Sequence, residues 1–180
     1  MKINKKLLML TQLSILVALE IVLSRFLSFS VWNQKIGFAF VAVAAAGMLY
    51  GPIGGAIVGG LSDFCGAILF PIGAYFPGFT LTNAILGVIF GLLLNTKKIE
   101  VKHKGFSLVV IRSILAAVIN QIVCSLLLNS VWISVLYKTP IRELMATRLV
   151  QAAIMLPVQI IILPILYKLS IKLKSAINVK

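Results

Sequence analysis

The apolar runs of this chain are too long and too numerous to be the core of a water-soluble protein. They occupy 7–29, 36–50, 53–70, 79–94, 106–137 and 144–169, separated by short polar connections. A helix crosses the hydrocarbon of a bilayer with about 20 apolar residues. Six runs of roughly this size are read here as six crossings. With 61% of 180 residues hydrophobic and 12% charged, too little polar surface remains to cover a soluble domain. The expected fold is an all-α membrane protein, a six-helix bundle forming one membrane-embedded domain over 1–180.

Charge placement orients the bundle. The net charge of +13 invites a nucleic-acid reading, but the basic residues sit at the ends of apolar runs and are not interleaved with aromatics. That distribution excludes nucleic acid as the expected partner and fits a lipid bilayer. Lys2, Lys5 and Lys6 precede an apolar stretch as in a signal peptide. No small-residue cleavage site follows, so the stretch is expected to stay as the first helix. With six crossings, twelve lysines and arginines fall on the side of the termini and five on the other. The positive-inside rule then puts both termini in the cytoplasm and the 70–78 loop outside.

Interruptions punctuate the runs. Gly51-Pro52 is expected to turn the chain, a break is expected near Asn129 with the remainder folded over the outer face, and Pro157 and Pro164 should kink the last helix. Ser14 and Ala18 stand four apart on the first helix, as do Gly55 and Gly59 on the third and Gly87 and Gly91 on the fourth. Such pairs let helices approach closely, either within the bundle or on a partner subunit.

Several chemistries are excluded. Cys65 and Cys124 are far apart in apolar runs, and no Cys-x-x-Cys or Cys/His cluster supports a zinc site or a disulfide framework. There is no Walker A sequence, His103 is alone in a hydrophilic loop, and Glu20 and Asp63 are too few for a proton relay. No catalytic residue, metal or cofactor is expected, and the chain is not expected to be an enzyme. It binds passively or borrows energy from a partner.

The stretch 66–82, Gly-Ala-Ile-Leu-Phe-Pro-Ile-Gly-Ala-Tyr-Phe-Pro-Gly-Phe-Thr-Leu-Thr, is the candidate site. Its two prolines and three glycines shape the backbone. Its four aromatics and two threonines suit a flat organic ligand that needs stacking and a few hydrogen bonds. Tyr75, Phe76 and Phe79, with Phe70, are candidates for stacking, and Thr80 and Thr82 for hydrogen bonding. Charges in a bilayer cost about 2.5–3.5 kcal/mol each on insertion scales, so each should have a role. Arg25 or Arg148 can hold a carboxylate bidentately, and Asp63 can accept from an amino-substituted heterocycle. Alternatively Arg25 pairs with Glu20 or Asp63 and no ligand is involved. Asn83, Asn120, Gln121 and Gln151 offer donors and acceptors, to a ligand or to neighbouring helices. Trp32 and Trp132 fall near outer ends, where interfacial anchoring is the default.

Lys35-Ile-Gly-Phe38, Leu49-Tyr-Gly-Pro52, the Asp63 helix and the run from Leu69 to Thr82 together resemble the folate-specific S components of energy-coupling-factor (ECF) vitamin transporters. The likeness is close over 19–94 and weaker afterwards. Relatives often carry a proline in the outer part of the second span, where this chain has Val41-Ala42. The resemblance implies a six-helix binding subunit in the bacterial plasma membrane, without a cofactor. Such a subunit captures folate outside and delivers it by toppling in the membrane. Its partners would be a transmembrane coupling protein and two ATPases, where ATP hydrolysis resides. It maps the coupling-protein contact to Ser14 and Ala18, with Gly55 and Gly59 as candidates for the same surface, and the outer arginine of the first helix to Arg25. On this likeness Tyr75, Phe76 and Phe79 pack on the rings, Asp63 or Asn83 reads the pterin edge, and Arg25 takes a carboxylate or another ligand acceptor. An S component for another vitamin or pterin is the alternative within the class. A membrane scaffold without ligand is the alternative outside it.

Overall fold

The computed structural model describes residues 4–31, 34–96 and 105–178. Helix α1, Lys5–Arg25, opens on Asn4, whose side chain accepts from the Lys6 amide at 3.0 Å and so satisfies one of the free first-turn donors. The helix stops at Arg25, short of the expected 29. Beyond it Ser-Phe-Ser-Val alternates polar and apolar, the period of a strand. Strand β1, Ser28–Val31, pairs antiparallel with β2, Gln34–Gly37, with Ser28 opposite Gly37 and Val31 opposite Gln34. This hairpin replaces the irregular polar connection that the sequence suggests. A Cβ on Gly37 would stand 2.7 Å from that of Ser28, so glycine lets the pair close.

Helix α2, Phe40–Leu69, carries two of the expected spans. At Gly51 its backbone leaves helical geometry, with φ 80° and ψ −167°, and Pro52 follows. Only glycine takes that φ without strain, and proline cannot donate back across the break. A Cβ on Gly54 would lie 3.5 Å from the Ala46 carbonyl oxygen, although eight helical residues span about 12 Å. The two arms therefore fold back sharply on each other. The end of the first arm is tied off by Thr96, whose amide and hydroxyl each donate to the Met48 carbonyl at 3.0 Å.

Helix α3, Pro77–Leu94, begins with proline at its first position, where a missing amide donor costs nothing. It packs along α2 through paired glycines. A Cβ on Gly55 would collide with the Gly87 carbonyl, one on Gly59 with that of Asn83, and one on Gly91 with Pro52. Helix α4, Gly105–Asn120, passes without a break into a π-helical segment, Gln121–Leu128, and then into α5, Asn129–Tyr137. The expected break at Asn129 is absent. The wider π turns absorb the extra length, and the helix ends instead at Lys138 in the left-handed region, φ 54°. Helix α6, Ile141–Asn178, keeps Pro157 and Pro164 inside one helix.

Five helices of the described residues are long and apolar enough to cross a membrane, where the sequence suggests six runs. The difference lies in α2, whose two arms are joined at Gly51. The core joins the first arm of α2 (Val43, Ala44, Ala46, Met48) to Val58, Phe90, Leu94, Leu163 and Tyr167. Ser170 and Lys174 of α6 close this end against Met48 and Thr96. The opposite end is open.

Candidate functional site

At the open end lies a cavity of about 420 Å³. Ala39, at the start of α2, and Asp63, near its end, both line it. In a straight helix they would be roughly 36 Å apart, so the fold-back at Gly51 is what brings them together. The remaining walls come from α1 (Glu20, Ser24, Arg25), the hairpin (Ser28 of β1, Gly37 of β2), the loop before α3 (Tyr75, Phe76), α3 itself (Phe79, Asn83), α5 (Ile133, Tyr137) and α6 (Arg148, Gln151).

Arg25 reaches the cavity rim beside Asp63. Its Nη2 is 4.0 Å from Asp63 Oδ1 and donates to the Asp63 carbonyl at 3.5 Å, which is long for a charged pair. Its Nε is buried without a hydrogen-bond partner among the described residues, and a Cβ on Gly66 would lie 2.9 Å from it. Much of the guanidinium fork is left for another acceptor. Asp63 is held more firmly by Thr80, whose hydroxyl donates to Oδ2 at 2.7 Å and is hydrogen-bonded to the Tyr75 hydroxyl at 3.3 Å. On α6, Arg148 Nη1 donates to Gln151 Oε1 at 3.0 Å, with both residues buried. On α1, Ser24 donates to Glu20 at 3.4 Å. Two carboxylates and two guanidinium groups thus face one space.

The aromatic side of the cavity is braced edge to face. Phe76 and Phe79 have ring centroids 6.2 Å apart, Phe64 and Tyr75 6.0 Å. Trp132 lies 5.7 Å from Phe76 and its Nε1 donates to Thr82 Oγ1 at 2.9 Å. Trp132 is therefore built into this wall, whereas the sequence suggests interfacial anchoring. Trp32 lies outside the described residues. Phe70 pairs with Phe26 at 5.1 Å and does not line the cavity.

A second cavity of about 130 Å³ adjoins the first, with Gly37, Asn83, Asn129 and Gln151 bordering both. It lies deeper: Leu86 is seven residues beyond Phe79 on α3, and Met155 and Gln159 lie beyond Arg148 on α6. Phe40, Thr82, Asn120, Gln121, Cys124 and Ser125 complete its lining.

Of the sequence-derived candidates, Arg25, Asp63, Tyr75, Phe76, Phe79, Asn83 and Arg148 meet in the larger cavity, and Thr82, Asn83 and Asn120 in the smaller. Thr80 lines neither and acts on Asp63 instead. The Thr82 hydroxyl is committed to Trp132 and to the Gly78 carbonyl. Ser14 and Ala18 are exposed on α1. Gly55 and Gly59, which the sequence groups with them, are corrected by the structure: both are buried against α3, because its backbone fills the close approach they allow.

Several lining residues were not singled out as site residues from sequence. Glu20 and Ser24 share a face four residues apart, and Met155 and Gln159 follow Gln151, itself named from sequence, at the same interval. That spacing of polar groups within an apolar run is the signal that finds them. Asn129 and Tyr137 carry no such pattern.

The family model for the ECF transporter substrate-specific component matches residues 8–167. The chain is 39% identical to a folate transporter FolT of Clostridium novyi (strain NT) over 159 residues, 88% of this chain and 87% of the relative. A folate transporter FolT of Leuconostoc mesenteroides is 29% identical over 153 residues, 82% of this chain and 78% of that one. Among solved structures, a crystal structure of FolT bound with folic acid superposes with a TM-score of 0.77 at 29% identity, covering 89% of this chain and 95% of the other. With five helices able to span a bilayer, this is a multi-pass membrane protein, and it belongs to the substrate-specific components of ECF transporters.

Proposed function

We propose that the chain is the folate-binding subunit of an ATP-driven ECF importer in the bacterial cell membrane. The observation that carries this reading is one cavity in which Tyr75, Phe76 and Phe79 face Arg25 and Arg148. Folate joins a flat pterin and an aromatic linker to a dicarboxylate tail, so it needs both kinds of wall. The aromatic rings supply area and stacking, and a guanidinium group with unused donors supplies a charge-assisted acceptor site. The FolT relatives, and the FolT structure with folic acid bound, support the same ligand.

The fold-back at Gly51 supports six crossings, the two arms of α2 counting separately. The charge distribution then puts both termini in the cytoplasm and the cavity on the outer side. Ser14 and Ala18, exposed on α1, are the proposed contact with a transmembrane coupling protein. ATP hydrolysis falls to two partner ATPases, and this subunit captures the ligand without them.

The test is the identity of the ligand that co-purifies from cells supplied with mixed vitamins, released by denaturation and weighed by mass spectrometry. A pterin–glutamate compound is expected. A flavin or thiamine in its place would contradict the folate assignment.

A further inference from the structure

At Gly55, Gly59, Gly87 and Gly91 the missing Cβ makes room for the backbone of a facing helix. At Gly66, three residues beyond Asp63 on α2, it makes room for a side chain. The three atoms nearest to a Cβ built there all belong to the Arg25 guanidinium group: Nε at 2.9 Å, Nη2 at 3.3 Å and Cζ at 3.5 Å. Non-bonded heavy atoms settle at about 3.5–4.0 Å, so a methyl at this position and the guanidinium group where it stands exclude each other. Gly66 is buried and does not line the cavity, whereas Arg25 lines it with its side chain 11% exposed.

Polar contacts alone do not fix Arg25. Its distances to Asp63 are long, 4.0 Å to the carboxylate and 3.5 Å to the carbonyl, and Thr80 engages the other carboxylate oxygen. Shape supplies what these bonds lack, because the guanidinium group fits the niche that Gly66 leaves in α2. Phe26, the next residue, closes the same contact, its ring 5.1 Å from that of Phe70, four residues after Gly66. A long flexible side chain loses rotamer freedom when a ligand fixes it, and one already seated spares binding that cost. We propose that Gly66 is a positioning residue for ligand binding: its bare backbone seats the Arg25 guanidinium group at the cavity rim before the ligand arrives. This assignment rests on the folate reading above, in which Arg25 meets the ligand, and adds the feature of α2 that holds it in place.

The test is a double-mutant cycle on the purified full chain, with folic acid affinity read by titration and thermal stability in parallel. Gly66→Ala sets one methyl against the far end of a flexible side chain, so the helix keeps its place and Arg25 moves. Melting should be unchanged or slightly higher, since alanine is the better helix former. Folic acid binding should weaken about fivefold, the loss of one hydrogen bond. Gly66→Leu fills the niche and should approach the loss caused by Arg25→Ala, roughly 30-fold. In an Arg25→Ala background the niche is empty, and Gly66→Ala should have no further effect on affinity. Factors that multiply in the double variant would make Gly66 an independent packing residue and overturn the assignment. So would a folded Gly66→Ala or Arg25→Ala protein that binds folic acid as tightly as the unmodified chain. Gly66→Ala decides the matter if the leucine variant does not fold. Failure of the unmodified chain to bind folic acid would overturn the folate reading instead.

Discussion

The seam between α2 and α3 and the cavity above it use the same two helices in opposite ways. Along the seam, Gly55 and Gly87 bring backbone against backbone, with no room for a Cβ on either side. A few residues further toward the open end, Asp63 and Thr80 face each other across the same pair of helices through side chains, and the space beside them is a cavity of about 420 Å³. In a bilayer, lipid tails are as apolar as leucine, so close packing and interhelical hydrogen bonds must hold helices together. The seam supplies the packing. That leaves polar side chains at the open end available for a ligand, and the contrast teaches where substitutions should hurt the fold and where they should hurt binding.

Four substitutions sharpen or break this division. Gly55→Leu should have the largest effect: the helices must separate, at a cost on the order of 3 kcal/mol or more, read as loss of a monodisperse folded species in detergent. A folded variant that melts normally would show that the seam is not tight. Arg25→Gln should leave melting almost unchanged and reduce folic acid affinity by about 2 kcal/mol, roughly 30-fold. A large drop in melting temperature instead would make Arg25 a structural partner of Asp63 only. Thr80→Val removes the 2.7 Å bond to Asp63 and should weaken folic acid binding by about 1 kcal/mol through a misplaced Asp63 and Tyr75. Unaltered affinity would detach this network from the site. Gly60→Ala should matter least. A Cβ there meets only Ala84 at 3.6 Å, and the gain in helix propensity is about 0.5–1 kcal/mol, so equal or slightly higher thermal stability is expected. A clear loss would mean that the seam extends to this face.

The spans were legible because hydrocarbon thickness fixes a length that hydropathy reveals, and the turn at Gly51-Pro52 because proline and a left-handed glycine leave few alternatives. What was not legible is which face of each helix is inside. A membrane helix is apolar toward lipid and toward its neighbours alike, so Gly55 and Gly59 announce a close approach without naming the partner, and α3 rather than another subunit turns out to occupy it. Ser14 and Ala18 have the same spacing and are exposed. Cavity-lining residues that carry charge, Arg25 and Asp63 above all, could be read because burial of charge in lipid demands a reason. Gln159 and Asn129 could not, since an amide in a span can serve a neighbouring helix equally well. The π segment at Gln121–Leu128 left no local signal either: its apolar residues fit α and π turns equally, and the widening replaced the break expected at Asn129.

The central claim is that the open cavity is by itself a folate site, complete without ATP or a partner. Calorimetric titration of the detergent-purified chain with folic acid tests it most directly. The account predicts saturable binding of one ligand per chain in the absence of nucleotide. A folded, ligand-free sample that gives neither binding heat nor thermal protection by folic acid would contradict it.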